Sequence, residues 1–312
     1  MPESFAGLRS PGGSSRVLTA YRTASSVANA VPEPVARMAS RALGTTAAVP
    51  DRRRRMIVAR NLQRVYGPEL TGVALQRKVQ QTFESYARYW MEAFRLPSTS
   101  REDLDFSMSY DGYEHLEDAL ATGLGPLMII PHLGGWEWAA FWMTEVMGIP
   151  VSAVVEKLEP PELYEWFVGL RTAMGMNVIP LGPRAGAEVV KAVNRGDVIC
   201  LLTDRDIEGT GVEVEFFGEK TTMPKGPAML ALRTGAPLLP CAIYYRDGGH
   251  HGVVRPRVPA ERTDAGLRAD VARVTQALAR ELEILIRAEP EQWHLMSPNW
   301  PSDHEALEDA GL

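Results

Sequence analysis

From about residue 105 onward, short apolar runs alternate with segments of helical periodicity, and this alternation leaves few architectures open. Leu127–Ile130, Val151–Val155, Val178–Leu181 and Val198–Thr203 read as buried strands, with helices expected near 135–147, 161–175 and 184–195 between and after them. Val212–Phe217, Leu238–Tyr245 and about 251–257 read as the remaining strands, with a helix near 226–234. A long helix over about 264–288 carries Val271, Val274, Leu278, Leu282 and Leu285 on one face. Strands that are apolar throughout must be covered on both sides. The pattern therefore predicts an α/β fold, a mostly parallel central sheet flanked by helices on both faces.

The first hundred residues follow a different rule. Residues 1–14 bury too little to order themselves and end near the Ser10–Ser15 run of Ser, Pro and Gly. Val17, Tyr21, Ala24, Ala28 and Val31, then Val35, Met38 and Ala42, sit at helical spacing on either side of Pro32 and Pro34. These predict two short N-terminal amphipathic helices. Asp51 is a plausible N-cap for a helix bearing Arg52–Arg55, Arg60 and Arg64. Leu75, Val79, Phe83, Tyr86, Trp90 and Phe94 form one stripe on the helix after it. The chain is thus divided into a disordered start at 1–14, a helical membrane-facing segment at 15–100, an α/β core at 101–301 and a tail at 302–312. Residues 15–301 are expected to form one structural domain.

Charge follows the same division. Residues 1–100 hold 15 basic and 6 acidic side chains, a balance of +9, whereas the remainder holds 18 and 33, a balance of −15. Such asymmetry suggests that the first third faces something anionic. Because the basic residues are interleaved with apolar ones at helical spacing, an anionic membrane surface fits better than nucleic acid. A solvated helical face gives the same pattern. No run of about 20 apolar residues predicts a transmembrane helix, and no secretory signal is recognisable at the start. Cys200 and Cys241, both in apolar runs, suit a reducing compartment without a disulfide. These readings place the chain peripherally on the cytoplasmic side of the inner or plasma membrane.

The segment Ile130-Pro131-His132-Leu133-Gly134-Gly135-Trp136-Glu137-Trp138 carries the chemistry. It turns from a strand into a helix, and ligands of open α/β sheets bind beyond the carboxyl ends of strands. Gly134 and Gly135 allow close approach to the backbone, so their N–H groups are candidates for an oxyanion site. Glu137, five residues after His132, is expected to fold back onto the imidazole, fix its tautomer and leave the other nitrogen free to take a proton from an alcohol. By itself a His-x4-Glu spacing is unspecific, and a capping histidine with an unrelated glutamate fits it as well.

Further blocks add specificity. They are Ser85-Tyr86-Ala87-Arg88-Tyr89-Trp90-Met91-Glu92-Ala93-Phe94-Arg95-Leu96-Pro97, the stretch Leu163-Tyr164 to Arg171, Cys200-Leu201-Leu202-Thr203-Asp204-Arg205-Asp206, Gly211–Glu219, Met223–Ala228, and Trp293-His294-Leu295-Met296 with Trp300. With them, the chain from about 15 to 301 resembles the bacterial lysophospholipid and lipid A type acyltransferases, and within them the members that acylate phosphatidylinositol mannosides. The resemblance implies a glycerol-3-phosphate acyltransferase-like fold and transfer of a fatty acyl chain from acyl-CoA to a mannose hydroxyl. His132 is then the general base and Glu137 its orienting carboxylate, with no covalent acyl-enzyme. It further implies that Asp204 and Glu156 support the histidine, and that Arg171, Arg205, Lys225, Tyr164 and His294 bind substrate. The mannoside enzymes usually carry Glu where this chain has the shorter Asp204.

No cofactor is implied, acyl-CoA being a co-substrate, and no His-Glu-x-x-His run or Cys/His cluster suggests a metal. The implied partners are acyl-CoA, a glycolipid or phospholipid acceptor and an anionic membrane surface. A different acceptor, such as a lysophospholipid, and a lipid-binding protein without chemistry are the alternatives.

Overall fold

The computed structural model describes residues 51–157 and 161–312. The expected disordered start and the two amphipathic helices before Asp51 lie outside these residues.

The described chain opens with helix α1 (Arg52–Tyr66), capped where the Arg54 N–H donates to Asp51 Oδ1 at 2.9 Å. Helix α2 (Gly72–Arg95) buries Leu75, Val79 and Phe83 of the expected stripe, and these pack on Val58 and Leu62 of α1. Next come α3 (Arg101–Phe106), β1 (Met108–Asp111), α4 (Tyr113–Leu120), β2 (Leu127–Ile130), α5 (Trp136–Phe141, extended by a wide turn to Val146), β3 (Val151–Val155), α6 (Pro161–Ala173), β4 (Asn177–Pro180), α7 (Ala185–Arg195) and β5 (Val198–Leu202). The remainder comprises β6 (Val212–Phe216), β7 (Glu219–Met223), α8 (Gly226–Thr234), β8 (Leu238–Arg246), β9 (Gly249–Val254), α9 (Leu267–Ala288) and α10 (Pro301–Asp309).

Seven strands form one sheet in the order β1-β9-β8-β2-β5-β3-β4. Every neighbouring pair is parallel except β8 with β9. The expected α/β class and mostly parallel sheet are therefore found. One expectation fails: β6 does not join the sheet but pairs antiparallel with β7 as a separate hairpin. Its sequence alternates Val212, Val214 and Phe216 with Glu213 and Glu215, the mark of a strand with one wet face, whereas β2 and β5 at the middle of the sheet are apolar throughout.

The alternation of side chains across each strand builds two cores. Leu127, Ile129, Ile199, Leu201, Leu238 and Ala242 face α7, α8 and α9. Met128, Ile130, Cys200, Leu239, Cys241 and Ile243 face α4, α5 and the C-terminal part of α2. Burying a large aliphatic side chain contributes about 1.5–3 kcal/mol, so the period-two pattern alone fixes which face of each strand meets which helices. On α9 the residues Val271, Val274, Leu278, Leu282 and Leu285 are all buried, as the sequence predicted. Cys200 and Cys241 are free and buried, and burial raises both thiols, Cys200 to about 12. Among the described residues no helix is long and apolar enough to cross a membrane.

Candidate active site

Strands β2 and β5 lie side by side with Ile130 opposite Leu202. Two residues beyond each strand end, the chain therefore delivers His132 and Asp204 to the same place. The join is tightened by the Thr203 N–H, which donates to Ile130 O at 3.0 Å. His132 Nδ1 meets Asp204 Oδ1 at 2.5 Å, and the His132 backbone N–H donates to Asp204 Oδ2 at 3.1 Å. The same Oδ2 accepts from the Trp293 indole N–H at 2.8 Å. Asp204 is wholly buried, whereas the His132 side chain keeps 12% of its surface open.

These contacts set the charges. Burial would raise Asp204, but the His132 ring and the donors from Trp293 and the His132 backbone outweigh it and hold the carboxyl at about 2. Burial lowers the His132 imidazole, and Asp204 offsets this only in part, so the ring lies below its ordinary value. At neutral pH the resulting form is a neutral imidazole that donates from Nδ1 to an ionised Asp204, with Nε2 unbonded among the described residues.

Glu137 does not play the part expected of it. Its carboxylate is buried and accepts from Arg171 Nε at 2.9 Å, from Arg171 Nη2 and from the Tyr89 hydroxyl at 3.1 Å. The helical turn that begins at Trp136 aims residue 137 away from the His132 ring and toward α2 and α6. The orienting hydrogen bond belongs to Asp204, and Glu137 instead locks α5 between two other helices.

Arg171 is likewise not at a substrate surface: it is 1% exposed, paired with Glu137 and lying over the Trp136 and Phe167 rings. Tyr164 lines neither of the two cavities beside His132. It packs with Trp90, Phe94 and Trp166 around Phe167.

Gly134 and Gly135 are required, but not as oxyanion donors. The Gly134 N–H donates to Gln292 O at 3.0 Å and the Gly135 N–H to Ile243 O at 3.1 Å, so both are consumed within the fold. Gly134 has φ +56°, and a Cβ there would lie 1.8 Å from Ile243 O. These glycines let the turn that carries His132 sit directly on β8.

Residues 292–294 strap the turn from the other side. The Gln292 side-chain amide donates to Tyr245 O at 3.1 Å and accepts from Tyr245 N at 2.6 Å, which pins the strap to β8. Leu133 bridges to Trp293, and the His294 N–H donates to His132 O at 2.7 Å. Sequence reasoning named Trp293 only as part of a block and missed Gln292. The signal available was Gln-Trp-His after a helix, whose meaning depends on where that segment lands.

Two cavities meet at His132, Trp136, Leu202 and Arg205. One, of about 450 Å³, is the more polar of the two, lined by Tyr86, Tyr89, His294, Ser297, Arg53 and Arg54 together with Leu295 and Met296 among others. Burial lowers the His294 ring to about 3, with the nearby His132 acting in the same direction; its Nε2 lies 2.8 Å from the Ser85 hydroxyl. The other cavity, of about 400 Å³, runs between β3, β5, α7 and α8. Val154, Val155, Leu181, Val189, Leu201 and Leu230 line it, and the exposed Lys225 stands among the residues around it. Arg205 donates to Glu156 at 3.0 Å and Ser297 at 3.2 Å; Glu156 also lines the second cavity, but its hydrogen bond goes to Arg205 and not to the His132 ring. His250 is buried in β9, stacked on Trp138 at 4.4 Å and bonded to Glu92 at 2.8 Å. Phe216 is core, stacked on Trp300. Among the described residues no three His, Cys, Asp or Glu side chains converge as metal ligands would.

A histidine–carboxylate pair at the ends of two adjacent parallel strands, between an apolar and a polar cavity, is the equipment of an acyl-transfer enzyme. Residues 17–302 match the model of the bacterial lipid A biosynthesis acyltransferases, and the chain belongs to that family. It is 39% identical over 249 residues to the phosphatidylinositol mannoside acyltransferase of Mycobacterium tuberculosis, covering 78% of this chain and 76% of that one. The phosphatidylinositol mannoside acyltransferase of Mycolicibacterium smegmatis is 38% identical over 247 residues, 78% and 79% of the two chains. The lipid A biosynthesis acyltransferase of Haemophilus influenzae is 23% identical over 256 residues, 80% and 77%.

Proposed function

We propose that this acyltransferase moves a fatty acyl chain from acyl-CoA to a mannose hydroxyl of a phosphatidylinositol mannoside at an anionic membrane surface. The supporting observation is the position of His132: it is oriented by Asp204 and stands where the apolar and the polar cavity join. The apolar cavity suits the acyl chain, and the polar, aromatic one suits a sugar.

In this reading His132 Nε2 removes the hydroxyl proton as the oxygen attacks the thioester carbonyl. Asp204 stabilises the imidazolium. Arg205, which lines both cavities, supplies positive charge beside the tetrahedral oxyanion. When the intermediate collapses, the C–S bond breaks and the imidazolium returns its proton to the leaving thiolate. The products are the ester and free coenzyme A, and no enzyme atom is acylated.

The test is to incubate the protein with palmitoyl-CoA and the glycolipid, following thiol release and the acylated product by mass spectrometry. Release that depends on acceptor and is lost in His132→Ala is the expected result. Release that survives the substitution unchanged, or an acylated protein formed with donor alone, overturns the mechanism.

A further inference from the structure

The polar cavity does not end at the aromatic residues beside His132. It continues to the first turn of α1, where Asp51, Arg53 and Arg54 form part of its wall. Asp51 is committed to that turn: its carboxylate accepts the Arg54 backbone N–H at 2.9 Å and lies 3.4 Å from the Arg54 guanidinium. Arg53 is exposed and makes no ion pair among the described residues. Arg55 is spent elsewhere, on Gln76, and Arg52 does not line the cavity. One compartment thus has the His132 imidazole at one end and, at the other, the Arg53 guanidinium, which no carboxylate among the described residues pairs. Guanidinium groups recognise phosphate through paired, charge-assisted hydrogen bonds.

We infer that Arg53, assisted by Arg54, forms a subsite for the phosphodiester of the acceptor lipid, which fixes how the headgroup enters and which hydroxyl reaches His132. The inference rests on the proposed acceptor being a phosphoglycolipid. The donor's phosphates are the other source of the same chemistry. They belong to the second cavity, whose wall includes the exposed cations Lys225 and Arg233.

Two measurements test this, both without vesicles so that surface attraction does not contribute. In the first, the soluble headgroup glycerophosphoinositol mannoside and the phosphate-free methyl mannoside are titrated by calorimetry into the wild-type chain, Arg53→Gln, Arg53→Ala/Arg54→Ala and Arg52→Ala. The phosphorylated probe is expected to bind about tenfold more weakly to Arg53→Gln, and more weakly still to the double variant. Arg52→Ala is expected to behave as wild type, and methyl mannoside to be indifferent to all three. Equal weakening by Arg52→Ala, or equal effects on both probes, overturns the subsite. Arg53→Gln leaves the Asp51 cap intact and guards against a folding defect in the double variant.

In the second, turnover with palmitoyl-CoA in detergent is expected to show a raised KM for the glycolipid in Arg53→Gln, with kcat and the KM for palmitoyl-CoA unchanged. A raised KM for palmitoyl-CoA instead assigns the arginines to the donor and overturns the inference. Turnover with an unchanged glycolipid KM sinks the subsite and leaves the proposed function standing. Arginine-dependent binding without turnover does the reverse.

Discussion

The His132 imidazole and the Asp204 carboxylate are 72 residues apart in the chain and 2.5 Å apart in the fold. The register of β2 on β5, which sets Ile130 against Leu202, produces this meeting directly. Asp204→Asn is expected to lower kcat by about 10²–10⁴-fold, since an amide neither fixes the reactive tautomer nor stabilises the imidazolium. Glu137→Gln is expected to act on stability first, because it leaves the buried Arg171 guanidinium without its anion; loss of one partner of a buried pair costs about 3–5 kcal/mol. Steady-state kinetics beside chemical denaturation of both variants checks the division. An inactive but fully stable Glu137→Gln would return the steering role to Glu137.

The pH dependence follows from the direction of the His132 shift. In the proposed mechanism the base must be neutral, and burial places the His132 pKa below the ordinary 6.5. The acid limb of kcat/KM is therefore expected to bend below pH 6.5, with activity flat above it and falling tenfold per unit once the ring is protonated. Asp204, held at about 2, remains ionised throughout the range in which the protein is assayed. A pH–rate profile bending above 6.5 would contradict this assignment.

Trp293 bonds the Asp204 oxygen that His132 Nδ1 does not. Its indole draws negative charge away from the carboxylate. Trp293→Phe keeps an aromatic ring beside Phe216, Phe217 and Trp300 but removes the donor. More charge then faces the imidazole, and the acid limb is expected to move to higher pH, toward the ordinary imidazole value. A hydrogen bond to a charged group contributes about 1.5–3 kcal/mol, so the shift is measurable. A reduced rate with an unmoved limb would mean that Trp293 only packs.

Gly134→Ala tests the seating of the turn. At φ +56° the new methyl would stand 1.8 Å from a backbone oxygen of β8, so the turn must lift and carry His132 with it. Misplacement by about 1 Å costs on the order of 10²-fold in rate. The loss is expected in kcat, with the KM for donor little changed. Full activity in this variant would show that the turn tolerates movement.

Much of the architecture was legible because it depends on local pattern. Apolar runs announced β2, β3, β5 and β8, and the stripe at Val271–Leu285 announced α9, whereas the polar edge strand β1 gave no such signal. The departure of β6 is written in its Val–Glu alternation, although its length and place in the order match those of a sheet strand. The Gly-rich neighbourhood of His250 suggests a turn, whereas tertiary packing on Trp138 and Glu92 makes it part of β9.

Of the site, the sequence determined the position of the proposed base. His132, in a glycine-bearing turn after an apolar strand, is identifiable from neighbours within a few residues. Which carboxylate serves it was a different kind of question. Glu137 is nearest in the chain, but a helical turn fixes its direction, and that direction leads to Arg171 and Tyr89. Asp204, Trp293 and Gln292 reach the histidine through strand order, register and a strap laid over β8, all of them non-local relations. A one-dimensional pattern records the periodicity of each strand but not which strand lies beside it, so only the tertiary structure could choose the partner.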